Sequence, residues 1–251
     1  MRIVIVAPGS QGDVQPYIAL GKGLKNVGNT VRLVSNLNYE SLANAHSLEF
    51  WPIESNMQEI IENEKMRDVL ERGNLITSMA QMGKVLRQNA AQLTSKTLSA
   101  ARGTNMVIAG ISGLFVGLSI AEKLDLPFIQ AYNVPFTPTR EFSGALMSNL
   151  PSLAGNSFNR STHHFTRQMV WQTFRPTDKV VRQTTLGLPG SPLFGPFKAD
   201  RLNNGTVIYG ISPSVIPKPA DWDENRGNPA ARCQTGRTIW HRPLDSRSSP
   251  F

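Results

Sequence analysis

Residues Ile3 to Ala7 form an all-apolar run that breaks into Pro8-Gly9-Ser10-Gln11-Gly12-Asp13 and then into a helix-like stretch. Five consecutive apolar residues rich in Ile and Val, with no polar alternation, predict a strand buried on both faces. A parallel α/β sheet demands such strands. Tyr17, Leu20, Gly21, Leu24 and Val27 then share one helical face, Pro16 suits a first helical turn, and Gly28 supplies a stop. A second strand over Thr30 to Ser35 completes a β-loop-α-β unit. In open sheets of this kind ligands bind beyond the carboxyl ends of the strands, which is where Ser10 to Asp13 fall.

The same alternation continues. Leu48 to Ile53 predicts a third strand, with Trp51-Pro52 weakening its end. The charged segment Met57 to Leu70 reads as helical without a single apolar face. Leu75, Met79, Met82, Leu86, Ala90, Leu93 and Ala100 repeat at near 3.6 spacing, predicting a long amphipathic helix whose methionines fill the core. A strand over Asn105 to Ala109, a helix over Leu114 to Lys123 and a strand over Pro127 to Ala131 follow, with Val207 to Gly210 as a last strand. Between them Tyr132 to Thr139 is too rich in proline for regular structure. The fold class is therefore α/β, a Rossmann-like, doubly wound parallel sheet.

Charge and composition narrow the function. The 251 residues carry a net charge of +8, but residues 225–251 hold five arginines against the single acid Asp245, so half of the excess lies in that tail. The remainder shows no helix-turn-helix, zinc-finger or RNP spacing, and nucleic acid is not an expected partner. A lone cysteine, Cys233, excludes an internal disulfide and argues against a cysteine-based metal site. No apolar run approaches the roughly 20 residues of a membrane span, and a basic signal region is lacking at the start. A cytoplasmic location is the expectation.

Residues 1–212 are read as one domain, residues 213–224 as a stiff proline-rich linker, and residues 225–251 as an unfolded basic tail. Within the domain, residues 156–182 interleave Arg160, Arg167, Arg175, Lys179 and Arg182 with Phe158, Phe165, Val170, Trp171 and Phe174. That mixture suits peripheral contact with an anionic membrane; a solvated helix face over a core seam is the plainer reading and is preferred. His163 and His164 diverge by about 100° on a helix, cannot share a metal, and are read as surface residues.

Asp13 has two readings from the residues alone. A carboxylate at a helix start is most often a cap; in a cleft-facing turn it can also take a proton from an alcohol. The Gly9-Ser10-Gln11-Gly12 spacing departs from Gly-x-Gly-x-x-Gly, and no acid closes the second strand at Ser35-Asn36, so a dinucleotide-dependent oxidoreductase ranks last.

Three stretches in order, Gly9-Ser10-Gln11-Gly12-Asp13-Val14-Gln15-Pro16, Pro135-Phe136-Thr137-Pro138-Thr139, and Tyr209-Gly210-Ile211-Ser212-Pro213 leading to Pro217-Lys218-Pro219-Ala220-Asp221-Trp222, resemble the N-terminal half of glycosyltransferase family 28. Within it they resemble the UDP-glucose:sterol glucosyltransferase branch, over about residues 1–224. The resemblance implies half of a GT-B enzyme, the half that holds the acceptor, in an inverting reaction needing neither metal nor resident cofactor. The co-substrate would be a UDP-sugar, bound mainly by a second domain. Asp13 matches the family's proposed general base, with Ser10, Gln11, Gly12, Asn133, Phe136 and Thr137 as substrate-binding residues. Backbone N–H groups of Gln11 to Val14 would meet substrate oxygens. The implied acceptor is a lipophilic small molecule such as a sterol, with Phe136, Phe142, Leu146 and Met147 as candidate contacts. No glycine-rich diphosphate loop follows Trp222. The chain alone is therefore expected to be inactive or nearly so; the alternative is a stand-alone lipid-binding module without catalysis.

Overall fold

A computed structural model describes residues 1–54, 75–147, 155–203, 205–222 and 233–235. The strands are β1 (Arg2–Val6), β2 (Thr30–Asn36), β3 (Glu49–Ile53), β4 (Met106–Ala109), β5 (Phe128–Tyr132), β6 (Thr206–Tyr209) and β7 (Cys233–Thr235). They form one sheet in the order β3-β2-β1-β4-β5-β6-β7, and every neighbouring pair is parallel. Strand order reverses between β1 and β4, the switch point at which such sheets open a crevice.

The uninterrupted apolar character of β1 follows from its central position. Ile3, Ile5 and Ala7 face one layer with Val14, Tyr17, Ile18 and Leu20 of α1 (Gln11–Asn26), while Val4 and Val6 face the other. That second layer contains α3 (Leu75–Ala101), α4 (Leu114–Lys123) and α5 (Gly155–Asp178). A short helix, α2 (Glu40–Ala45), joins α1 on the first side. In α3 the anticipated stripe buries Ala90, Leu93 and Ala100 and half-buries Leu86. The segment Met57 to Leu70, expected to be helical, lies outside the described residues.

Several expectations change. Helix α1 starts at Gln11, so Pro16 stands inside it and Asp13 is its third residue rather than a residue preceding it. Val27 is the residue that caps the end of the helix after Asn26 and is 74% exposed, off the buried face. His163 is buried rather than on the surface, its Nε2 3.0 Å from the Phe142 carbonyl oxygen, whereas its neighbour His164 is exposed. Burial lowers the His163 pKa, outweighing the Phe142 carbonyl, which favours the charged ring.

The basic stretch 156–182 is α5 running into a π-helical run, Lys179–Leu186, that ends at Gly187 in a left-handed conformation. Trp171 and Phe174 pack on Phe115 of α4 at ring-centroid separations of 5.0 Å each. Arg182 is buried and makes a two-pronged pair with Glu122, both contacts 2.9 Å, while its Nε donates to the Pro189 carbonyl at 2.7 Å. Such planar, fully engaged geometry lets a guanidinium tolerate burial.

The end of the chain also differs from expectation. The proline-rich residues after 212 return to the domain: Trp222 is buried and stacks on Tyr209 at 4.4 Å, with the rings 13° from parallel. Asp221 accepts from Thr139 Oγ1 at 2.6 Å and from the Arg140 N–H at 2.9 Å. Instead of leading away as a linker, this segment ties down the loop after β5. Inside the tail expected to be unfolded, Cys233–Thr235 pairs with β6, satisfying backbone groups that an edge strand would otherwise present to solvent. Among the described residues no helix is long and apolar enough to cross a membrane.

Candidate functional site

The turn after β1 is built around Asp13. Its Oδ2 accepts from the Ser10 N–H at 3.0 Å and from Ser10 Oγ at 2.8 Å, the reach-back of a capping box. The capping role foreseen for a carboxylate at this position is therefore real. Both bonds fall on one oxygen; among the described residues Oδ1 accepts none, and the side chain is half-buried. One oxygen anchors the group and the other is left as an acceptor.

Gly9 makes that geometry possible. Its φ is +141°, and a Cβ there would lie 2.6 Å from Asp13 Oδ2. The Gly9 N–H donates at 2.8 Å to Oδ1 of Asn36, a buried side chain at the end of β2. Ser35 Oγ donates to the Ala7 carbonyl at 2.8 Å. These two residues clamp the turn to the neighbouring strand. The sequence signal for Asn36 was the polar pair Ser35-Asn36 following the apolar Leu33-Val34 at the end of the strand.

One turn after Asp13 in α1, the Tyr17 hydroxyl donates to the Ala131 carbonyl at 2.6 Å and fills the space over Gly110, where a Cβ would fall 1.6 Å from Oη. Burial raises the Tyr17 pKa, and the Asp13 charge raises it further. The phenol stays protonated and serves as a hydrogen-bond donor.

Pro16 explains where Asn133 goes. Without an N–H, Pro16 leaves the carbonyl four residues back, that of Gly12, without its helical partner. Asn133 Nδ2, from the loop after β5, donates to that Gly12 oxygen at 3.1 Å. Ser10, Gln11, Gly12, Asp13 and Asn133 are therefore brought together at the carboxyl edge of the sheet. Gln11 and Gly12 are exposed. The N–H groups of Asp13 and Val14 both point at the Ser10 carbonyl, at 2.9 and 3.1 Å. Only Gln11 and Gly12, at the positive helix end, retain N–H groups for a substrate oxygen, not the whole run to Val14.

Phe136 and Thr137 lie elsewhere. Thr137 is engaged by Tyr209, whose hydroxyl accepts from the Thr137 N–H at 2.8 Å and donates to Thr137 Oγ1 at 2.6 Å. Phe136 is buried and packs edge-on against Tyr132 at 5.2 Å. Both line a cavity of about 200 Å³ together with Arg160, His164, Arg167 and Trp222. This cavity is on the α5 side of the sheet, while Asp13 and Tyr17 are on the α1 side. Of the other candidate contacts, Phe142 packs against His163 at 5.6 Å and Leu146 is 37% exposed. Met147 is half-buried. Among the described residues no three His, Cys, Asp or Glu side chains converge as a metal site.

Comparison with known proteins agrees with this architecture. The family model of the glycosyltransferase family 28 N-terminal domain matches residues 3–143. A sterol 3-beta-glucosyltransferase of Neurospora crassa is 29% identical over 225 residues, covering 89% of this chain and 14% of that protein. One of Debaryomyces hansenii is 31% identical over 225 residues, again with 89% and 14% covered. The chain thus spans about a seventh of the length of these curated relatives. Among solved structures, the glycotransferase of kitacinnamycin superposes with a TM-score of 0.56 at 15% identity, covering 89% of this chain and 49% of that one. A calicheamicin glycosyltransferase gives 0.50 at 14% identity, with 85% and 47% covered. At such identities the likeness is one of fold.

Proposed function

Because the chain belongs to glycosyltransferase family 28 through its N-terminal domain, we propose that it is the acceptor side of an inverting glycosyltransferase. The enzyme would move a hexose from a UDP-sugar to the hydroxyl of a sterol-like or other lipophilic alcohol. The observation that carries this reading is the Asp13 carboxylate, anchored through Oδ2 by Ser10 and open at Oδ1 beyond the carboxyl end of β1. The alcohol proton passes to Oδ1 as the alcohol oxygen bonds to the anomeric carbon. The bond from that carbon to the diphosphate breaks, and its electron pair leaves with UDP. A positioned general base contributes roughly a hundred- to ten-thousand-fold to such a step.

The donor nucleotide would be held mainly by a second domain, and no metal or resident cofactor is invoked for the chemistry of this half. The lipophilic acceptor is inferred from the sterol glucosyltransferases that the chain resembles. Helix α5, basic and bearing the exposed Phe158 and Phe165, would supply peripheral contact with the membrane from which such an acceptor is drawn.

The test joins this chain to the part of the Debaryomyces hansenii enzyme that follows its matching region and measures glucose transfer from UDP-glucose to a sterol. Transfer that falls at least a hundredfold in Asp13→Asn is expected. A folded fusion that binds UDP-glucose yet glycosylates no sterol or other lipophilic alcohol would refute the acceptor-side reading, and unchanged turnover in Asp13→Asn would refute the base.

A further inference from the structure

Arg160, His164 and Arg167 stand at positions i, i+4 and i+7 of α5 and line the same cavity. This spacing brings them to one face of the helix. Arg167 is held between two aromatic rings, its guanidinium carbon 5.4 Å from the Phe136 centroid and 5.4 Å from that of Phe197. Its Nε donates to the Phe136 carbonyl at 3.0 Å. Among the described residues the terminal Nη1 and Nη2 have no hydrogen-bond partner, and neither arginine forms an ion pair; burial and the two arginine charges lower the His164 pKa, so its ring is mainly neutral near pH 7.

The contrast within the same helical segment is instructive. Arg182 is matched by Glu122 at both nitrogens, whereas Arg167 has no carboxylate although burial already lowers its pKa. Asp221, the nearby acid, is engaged by Thr139 and the Arg140 N–H. A half-buried guanidinium that faces a cavity with no anion beside it has lost part of its hydration without a compensating charge, and a bound anion would supply one. Its orientation is already set by the two rings, so little side-chain entropy would be lost on binding.

Size and charge select the ligand. About 200 Å³ lies below the range of roughly 300–1,000 Å³ typical of pockets for drug-sized molecules, so a compact group fits and a whole lipid does not. Two guanidinium groups complement a charge of about −2, which a phosphate monoester carries near neutral pH. Paired guanidinium nitrogens suit phosphate oxygens.

We propose that the Arg160–His164–Arg167 cavity is a binding site for a phosphate monoester group, either free in solution or on the headgroup of a lipid. The inference is independent of the role of Asp13, which lies on the other side of the sheet.

The 251-residue chain is titrated with inorganic phosphate by calorimetry and, in a second arm, mixed with phosphatidylcholine vesicles with and without phosphatidic acid. Saturable phosphate binding is expected, or phosphatidic-acid-dependent vesicle binding that phosphate displaces; the first result identifies a soluble source and the second a headgroup. Arg167→Gln should weaken binding at least tenfold and Arg160→Gln several-fold, while Lys22→Gln, an exposed change of equal charge on α1, should alter it less than twofold. Arg160 is exposed, so its variant remains informative if Arg167→Gln fails to fold. Absence of saturable binding in both arms overturns the proposal, as does a loss in Lys22→Gln equal to that in the cavity variants.

Discussion

Replacing Gly9 with alanine should both destabilise the protein and displace its candidate base. At φ +141° a side chain is strained, which costs about 1–3 kcal/mol. The added Cβ would also lie 2.6 Å from Asp13 Oδ2 and 2.9 Å from both its Cβ and Cγ, an overpacking of about 1–3 kcal/mol. A total near 3 kcal/mol, with a urea dependence of roughly 2–3 kcal/mol per molar, lowers the midpoint of urea unfolding by about 1 M. Gly12→Ala provides the control. A Cβ at Gly12 meets nothing within 4 Å, and alanine favours the helix, so that variant should gain about 0.5–1 kcal/mol. A double-mutant cycle isolates the contact: in Asp13→Ala the Oδ2 and Cγ atoms are gone, and Gly9→Ala should cost about 1 kcal/mol less there. A Gly9→Ala midpoint within about 0.2 M of the parent, or no coupling between the two sites, would refute the argument that Gly9 shapes the seat of this carboxylate.

Asp13→Asn preserves an acceptor for Ser10 and should change stability by under about 1 kcal/mol while abolishing most transfer in the fusion; thermal melts alongside turnover check the separation. Asn133→Ala should cost about 0.5–1.5 kcal/mol, and less when Pro16→Ala restores an N–H for the Gly12 carbonyl, as a second cycle by denaturant unfolding would reveal. The hydrogen bonds from Arg182, opposed by partial desolvation, hold the Glu122 carboxyl below its ordinary pKa. Its stabilising contribution is therefore present above the unfolded value of about 4.3 and lost as pH falls through the lower folded value, so the stability gap to Glu122→Gln should close in acid. A gap independent of pH would remove that assignment. Trp222→Ala should cost about 3–5 kcal/mol if the stacked indole belongs to the domain, whereas a loosely attached segment would lose almost nothing on chemical denaturation.

Much of the sheet was legible because burial on both faces leaves a direct imprint on composition: Ile3 to Ala7 could hardly be anything but an interior strand. The anticipated helix over Leu114 to Lys123 matches α4, and the strand read at Val207 to Gly210 is β6 shifted by one residue. Periodicity is local and survives without knowledge of partners. The clustering of Ser10 to Asp13 beyond β1 followed equally from position, since parallel strands with right-handed crossovers all open at one edge.

Contacts between distant residues left no such imprint. Pro16 looked like a helix start because a proline inside a helix is costly; only the arrival of Asn133, 121 positions away from Gly12, accommodates the carbonyl that it frees. Phe136 and Thr137 appeared to belong with Asp13, yet the alternation of side chains across β5 sends Tyr132 and its packing partner Phe136 to the opposite layer. Proline content suggested a departing linker at 213–224, and only the stack of Trp222 on Tyr209 and the bonds of Asp221 bring its residues back. Sequence alone determined which segments must be buried and on which edge a site would open, because hydrophobic periodicity and the alternation of strand and helix are local properties of the chain. The tertiary structure decided which polar groups meet, because a hydrogen bond or an unmatched guanidinium depends on atoms that the chain brings together only when it folds.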